Sequence, residues 1–455
     1  MRVLMLSWEY PPKSVGGLAR HVEDLSTSLA AEGHHVHVIT CGTQGVPAYQ
    51  VHHGVHIHRV EPYAVNAIDF LTWILQLNLK VLEYAIVLMQ ENAGFDLVHC
   101  HDWLVAFAGR AIKHAYQLPL VATIHATEAG RNQGLHNDMQ RYISSVEWWL
   151  TYEAWRVIVC SEHMRHEVRG VFQIPPDKVA IIPNGVKPEK FRFAPPPPHF
   201  RERFAQPWEQ IVFFVGRLVR EKGVHVLLDA APQVLASSPD AKFVVAGTGP
   251  MEGQLKHQAR TLGIADKVCF TGYIDDHTRN HLYRNAKVAV FPSLYEPFGI
   301  VALESMAAGT PVVVSDTGGL NEIVTHGVTG LKAYTGDSAS LAGNISAVLR
   351  DASFAEQLKQ NATRLVEEVY DWRQIARRTA QVYLAVYSEY RRSPWQMGRN
   401  PIQRVRRYAQ SLVGNRGGGI QEGGIQEMPV HHSRYSLIEH RVNAVHYHRE
   451  GREGP

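Results

Sequence analysis

Cysteine is scarce. The 455 residues hold four, Cys41, Cys100, Cys160 and Cys269, far apart and never as Cys-x-x-Cys. That spacing removes a paired-cysteine metal or redox site and leaves buried thiols in a reducing cytoplasm as the expectation. Long hydrophobic runs are also missing. The richest stretch, between Asn66 and Met89, is broken by Asp69, Lys80 and Glu83, so an amphipathic helix on a domain face is expected rather than a membrane span. The N-terminal "MRVLMLSWEYPP" has neither a long apolar core nor a small-residue cleavage site and reads as a first strand. No His-Glu-x-x-His, P-loop or nucleophile elbow occurs, which removes the common zinc-protease, NTPase and esterase readings. From Arg391 onward lysine is absent: eleven Arg against five Glu give +6, leaving 35 basic and 38 acidic residues, or −3, for the rest. The basic balance belongs to the tail, and nucleic acid is not an expected partner.

What is present is a globular composition, 45% hydrophobic and 20% charged, in a chain too long for one ordinary core. Short β-branched runs alternate with helical periods: "RVLMLSW", a helix over 17 to 32, "HVHVIT", a helix near 69 to 92, "DLVHC", a helix over 104 to 115, then "PLVATIH". Such alternation predicts a mostly parallel sheet wrapped by helices. Four consecutive prolines, Pro195 to Pro198, cannot lie inside either kind of element. The same alternation then restarts with "IVFFVGRL" and runs through "PVVVSD". The α/β class with two doubly wound, Rossmann-like domains facing a cleft follows, over 1–190 and 191–371. An apolar stripe at Trp372, Ile375, Thr379, Val382, Tyr383, Val386 and Tyr390 predicts a cross-over helix, 372–392, returning to the first domain. Residues 393–455, with a tandem "GGIQEGGIQE" at 418–427, read as a flexible basic tail.

Chemistry-bearing residues cluster where strands give way to helices. In "SLYEPFGIVALESMAAG", Glu296 stands before a proline, in extended or turn backbone, while Glu304 lies on a helix entered at Pro297 or Phe298 and closed by Gly309. The two carboxylates would bracket a polar pocket at that helix's N-terminus. Gly16 and Gly17 sit where the first strand turns into the first helix, suited to a phosphate or simply to a tight turn. In "VGRLVREKG", Arg217 and Lys222 occupy the carboxyl end of a strand, where paired cations steady a diphosphate; a solvated basic loop is the plainer alternative. His125 ends "LVATIH" on the same kind of edge. Asp102 and Trp103, in "HCHDW", suit sugar hydroxyls and a pyranose face, although Trp103 is equally suited to core packing. The adjacent Asp275 and Asp276 invite a divalent cation, but a helix N-cap is the preferred reading.

Taken in order, these motifs resemble the retaining glycosyltransferases of the GT-B fold, family 4, and within them the glycogen and starch synthases. The match spans about residues 1 to 390, and Glu296 and Glu304, with seven residues between them, are its most specific part. "HDW" at 101–103, "GRLVREKG" at 216–223 and "TGGLNEIV" at 317–324 support it. The resemblance implies a nucleotide-sugar donor, ADP-glucose or UDP-glucose, and an α-1,4-glucan acceptor, with no cofactor and no metal. It implies that Arg217 and Lys222 bind the diphosphate and Glu304 the ribose. Glu296, with the backbone of Phe298, Gly299 and Ile300, would hold the donor sugar. Gly16 and Gly17 would line the donor site, Tyr273 would meet the base, and His125 would lie near the donor sugar. Asp102 and Trp8, with Trp103, fall on the acceptor side. Lys13 departs from the pattern, since glycogen synthases carry a lysine directly before the glycine pair and here two residues intervene. A sugar-phosphate, lipid or cell-envelope acceptor is the rival enzymatic expectation. An inactive GT-B binding module with a nucleic-acid- or membrane-contacting tail is the non-enzymatic one.

Overall fold

In the computed structural model, which describes residues 1–63, 65–91, 94–191 and 198–397, the β-branched runs form two separate sheets. The first has eight strands: β1 (Arg2–Leu6), β2 (His35–Cys41), β3 (Tyr49–His52), β4 (Val55–Val60), β5 (Leu97–His101), β6 (Leu120–Ile124), β7 (Arg156–Val159) and β8 (Val179–Ile181). Their order is β3-β4-β2-β1-β5-β6-β7-β8, parallel throughout except for the β3–β4 hairpin. The second has six: β9 (Gln210–Val215), β10 (Ala241–Ala246), β11 (Val268–Gly272), β12 (Val288–Phe291), β13 (Val312–Ser315) and β14 (Leu331–Ala333). They run β11-β10-β9-β12-β13-β14, all parallel. This is the expected pair of Rossmann-like domains. The hairpin β3–β4, strand β14 and the helices Asp138–Glu153 and Glu162–Phe172 add to the elements that the alternation predicts.

The strand order fixes where a ligand can sit. Chain connections leave β1 toward β2 on one side while β5 lies on the other, and β9 stands likewise between β10 and β12. At such reversals the flanking loops part and open a crevice beyond the strands' carboxyl ends. Gly16–Gly17 follows β1 and Arg217–Lys222 follows β9, so both motifs stand at their sheet's reversal.

The connection between domains runs from β8 to β9; the boundary expected at 190/191 falls within it, and Pro195 to Pro197 lie outside the described residues. The return is the helix Trp372–Arg392, capped by Asp371, whose carboxylate accepts the Arg373 N–H at 2.7 Å. Its Trp372, Ile375, Ala376, Tyr383 and Val386 share a buried cluster with Val3, Met5, Val22 and Leu25 of the first domain. Val382, expected in the stripe, is only half-buried, and Ala376 and Ala380 take the inner positions instead. Outgoing and returning segments touch, with Val186 N–H donating to Tyr370 O at 2.9 Å. Of the tail, only residues up to 397 are described; the tandem repeat at 418–427 lies outside.

The helix Phe70–Glu91 is long and apolar enough to cross a bilayer. It lies along the first domain, burying Ile74, Leu77, Val81, Ala85 and Leu88 and turning Leu75, Leu79 and Ile86 outward. Cys41, Cys100 and Cys160 are buried and Cys269 half-buried, all as free thiols; burial pushes the Cys100 and Cys160 thiols up.

Two outcomes follow from buried polar groups. Tyr383 OH meets His99 Nδ1 at 2.7 Å, with both side chains fully buried, and His99 Nε2 meets Thr123 Oγ1 at 2.7 Å. Tyr383→Phe strands one imidazole nitrogen and should cost about 1–3 kcal/mol in urea unfolding. Separately, His37 on β2 stacks with His56 and His58 on β4, and burial together with the neighbouring imidazoles lowers His37 to about 3 and His58 to about 4 from 6.5. The unfolded chain therefore takes up these protons first. The stability they contribute is present above about pH 6.5 and is lost as pH falls toward the folded values. Urea midpoints measured between pH 7 and 4.5 should fall less steeply in His58→Gln than in the wild type.

Candidate functional site

The segment from Ser293 to Ala307 leaves the carboxyl end of β12 and is shaped by glycine. Gly299 has φ 108° and caps the helix Ile300–Ala307, and a Cβ there would strike the Leu320 side chain. The helix therefore begins at Ile300, later than the expected entry at Pro297 or Phe298, because Pro297, Phe298 and Gly299 form the turn before it. That turn is backed by Gly318 and Gly319, where added Cβ atoms would collide with Glu296 O and Phe298 Cα. Gly319 N–H donates to Glu296 O at 2.9 Å. The glycine pair of "TGG" thus lets a second helix, Gly318–Ile323, press its N-terminal turn directly against the backbone that carries Glu296.

The loop after β9 supplies the matching charge. Leu294 N–H donates to Glu221 O at 2.8 Å, tying the β9 and β12 loops together. Lys222 Nζ then lies 2.7 Å from Glu296 Oε2, which also accepts from Ser293 Oγ at 3.2 Å, and Glu296 is only 8% exposed. Arg217, half-exposed, pairs with Glu221 at 3.3 Å on the same loop rather than with Glu296. Glu304 is buried one helix face away, with Tyr283 OH donating to Oε2 at 3.2 Å and Arg20 of the first domain to Oε1 at 3.1 Å. Tyr273, beyond β11, is 81% exposed. Asp275 caps the helix Asp276–Asn285, accepting Thr278 N–H at 2.7 Å, as the N-cap reading required.

The first domain forms the opposing wall. Gly16 caps the helix Gly17–Ala31, and a Cβ on Gly17 would come within 3.2 Å of Ile300 Cδ1, so the starts of the helices after β1 and β12 face each other at van der Waals range. Lys13 points elsewhere, toward Cys41 Sγ at 2.9 Å and over the Trp73 and Trp8 rings at 5.2 and 5.9 Å. Trp8 meets Phe70 and Trp73 edge-on, and Phe70 meets Trp103 likewise. Trp103 is buried in the core, the plainer of its two expected roles.

Asp102 adopts φ 60° at the end of β5 and accepts the His125 N–H at 2.8 Å. Burial raises its carboxyl to about 6, against the pull of Arg131 and that N–H. His125 is lowered to about 3 by burial and by Arg131, so at neutral pH it is an uncharged hydrogen-bonding ring. Its Nε2 lies 3.3 Å from His101 Nδ1, and its ring packs 4.5 Å from that of His21, which is anchored through Nδ1 to Asn184 Oδ1 at 2.7 Å. Donor atoms of these three histidines lie within 4.8 Å of one another, and imidazoles so grouped are of the kind that hold a transition metal.

Several residues that complete the cleft receive no role from the sequence. Ser161 Oγ donates to Pro297 O at 2.7 Å; Tyr295 OH and Thr127 Oγ1 both donate to Glu167 Oε1, at 2.9 and 2.6 Å. The Glu322 carboxylate, from "TGGLNEIV", accepts the N–H groups of Glu162 and His163 at 2.9 and 2.8 Å. It thereby caps a first-domain helix, where free amides and the helix dipole favour an anion.

Residues 15–190 match the family model described as Glycosyltransferase Family 4, and residues 199–365 the one described as Glycosyl transferases group 1. An uncharacterized glycosyltransferase of Methanocaldococcus jannaschii is 41% identical over 84% of this chain and 98% of its own length. A glycogen synthase of Mycobacterium tuberculosis is 38% identical over 85% and 95%. Among solved structures, sucrose-phosphate synthase from Thermosynechococcus elongatus superposes with a TM-score of 0.74 at 27% identity, covering 85% of this chain and 99% of that one. The catalytic domain of starch synthase IV from Arabidopsis thaliana, at 18% identity, shares the fold with a TM-score of 0.70, over 85% and 99%. Two parallel sheets that each reverse strand order beside a glycine or lysine loop, and a similarity running the length of both domains, place the chain among the GT-B glycosyltransferases of family 4.

Proposed function

We propose that the protein is a retaining hexosyltransferase moving glucose from ADP-glucose or UDP-glucose to the non-reducing end of an α-1,4-glucan. The observation that carries this is the Lys222–Glu296 pair, which joins the β9 loop to the β12 loop just before the helix that Gly17 meets at Ile300. A cation and a carboxylate held side by side suit a donor whose diphosphate and sugar lie side by side. The 38%-identical glycogen synthase supports the acceptor class. Solved GT-B relatives bound to UDP-glucose, or to ADP and acarbose, support the donor class.

In this reading Arg217 and Lys222 neutralise the leaving diphosphate, and Gly16 and Gly17 let the helix Gly17–Ala31 approach it. Glu296 and the Phe298–Ile300 backbone hold the sugar hydroxyls, Glu304 the ribose, and exposed Tyr273 the base. The neutral His125 ring, braced by Asp102, orients the sugar without adding charge that would compete for the phosphates. Trp8 and Asp102 face the acceptor. Transfer proceeds on the sugar's front face, with the leaving phosphate taking the acceptor's proton, so catalysis rests on orientation and leaving-group stabilisation and needs no metal. The protein acts in the cytoplasm.

A sugar-phosphate acceptor is the second reading, favoured by a Streptomyces scabiei D-inositol 3-phosphate glycosyltransferase 30% identical over 86% of the chain. Labelled ADP-glucose, UDP-glucose and GDP-mannose, each with and without glycogen, separate the two. Label is expected in polymer from one of the glucose donors, whereas label confined to a small soluble glycoside would favour the sugar phosphate. Arg217→Ala and Lys222→Ala should each lower turnover on the order of 10²-fold or more, as removal of one charge-stabilising donor does. Turnover unchanged in both would remove the diphosphate assignment.

A further inference from the structure

Arg20 has no place in the functional reading above, yet it reaches into the centre of the site. It lies on the helix Gly17–Ala31, one turn past Gly16–Gly17, and crosses the cleft. Its Nη1 is 3.1 Å from Glu304 Oε1 and its Nη2 is 2.6 Å from Asp276 Oδ1. On the far side Arg279 repeats the pattern from within the second domain, with Nη1 2.6 Å from the same Asp276 oxygen and Nε 3.6 Å from Glu304 Oε2. Two arginines and two carboxylates therefore close a ring, and three of its four members belong to the second domain. Asp276 lies three residues beyond Tyr273, so the ring joins the carboxylate to the loop on the base side. Arg20 is about a third exposed and Glu304 almost fully buried, so the guanidinium covers the carboxylate from the cleft.

We propose that Arg20 is a cross-cleft positioning residue for the donor's nucleoside. It holds Glu304 Oε1 in the orientation that receives the ribose hydroxyls and makes ribose recognition depend on the first domain being closed. The proposal rests on the reading that Glu304 holds the ribose. Oε2 keeps Tyr283 and Arg279 without Arg20, whereas Oε1 loses its partner, and the carboxylate can then turn toward Arg279. A guanidinium one turn from the phosphate-facing glycines also adds favourable charge near a bound diphosphate, so Arg20 assists donor binding rather than competing with it. Its planar fork spans two carboxylates at once, which the single ammonium of lysine cannot do.

The test uses the full chain and whichever of ADP and UDP the wild type binds, alongside the 2′,3′-dideoxy form of the same nucleotide. Binding by calorimetry is paired with steady-state donor KM and kcat. Wild type should prefer the ribonucleotide. Arg20→Ala should raise donor KM about tenfold or more, reduce that preference toward one, and lower kcat at saturating donor much less. Arg20→Lys should fall between, and it carries the same readout if the alanine variant does not fold. Full ribose preference in the Arg20 variants, or tighter nucleotide binding, would overturn the proposal. Glu304→Gln separates the two layers. If it retains ribose preference, the assignment of Glu304 itself falls; if it loses preference while Arg20→Ala keeps it, only the role of Arg20 falls.

Discussion

Burying a carboxylate without a partner costs several kcal/mol after relaxation, and this cleft buries two, Glu296 and Glu304, within one loop and the helix that follows it. Much of the architecture around them answers that constraint. The β9 loop is tied to the β12 loop so that Lys222 can reach Glu296. The second domain places Arg279 and Tyr283 under Glu304, and the first domain sends Arg20 over it. These pairings are polar and reversible, which is what a site needs if substrate hydroxyls and phosphates are to share the same charges during turnover.

The two domains are joined by contacts of unlike character. On the crossing side, Trp372, Ile375, Tyr383 and Val386 bury an apolar stripe against the first domain. At the cleft the links are single polar bonds: Ser161 to Pro297, Tyr295 to Glu167, and Glu322 to the amides of Glu162 and His163. Apolar burial resists separation in proportion to area, while a hydrogen bond contributes only about 0.5–1.5 kcal/mol net, because water can replace its partner. The crossing buries the larger apolar area, and the cleft face carries the polar contacts, those of Glu322, Glu167 and Arg20 among them.

Charge is distributed unequally across the cleft. The second domain carries Lys222, Arg217 and Arg279, whereas the first, besides the crossing Arg20, presents uncharged imidazoles backed by Arg131. His125 is kept neutral by burial and Arg131 while Asp102 fixes its backbone. A neutral imidazole can donate or accept a hydrogen bond without adding charge to the cleft. The neighbouring His21 and His101 hold the ring in place through packing rather than charge, both being pushed well down by burial.

The order of β-branched runs and helical periods determined the two parallel sheets, because strand and helix are set by local periodicity and a parallel pair needs a crossover between its strands. The Gly16–Gly17, Arg217–Lys222 and Glu296–Glu304 motifs were legible for the same reason, each lying where a strand ends. The late start of the helix at Ile300 was not, since it depends on Gly299 passing under Leu320, a residue two elements away. Nor was the burial of Trp103, which either of its two readings allowed until the core around it was built. Arg20 and Glu167 drew no notice, and the cross-domain partners of Asp276 and Glu322 could not be read, because each acts on a residue more than a hundred positions distant, and only the docking of one domain against the other brings those charges within hydrogen-bonding range.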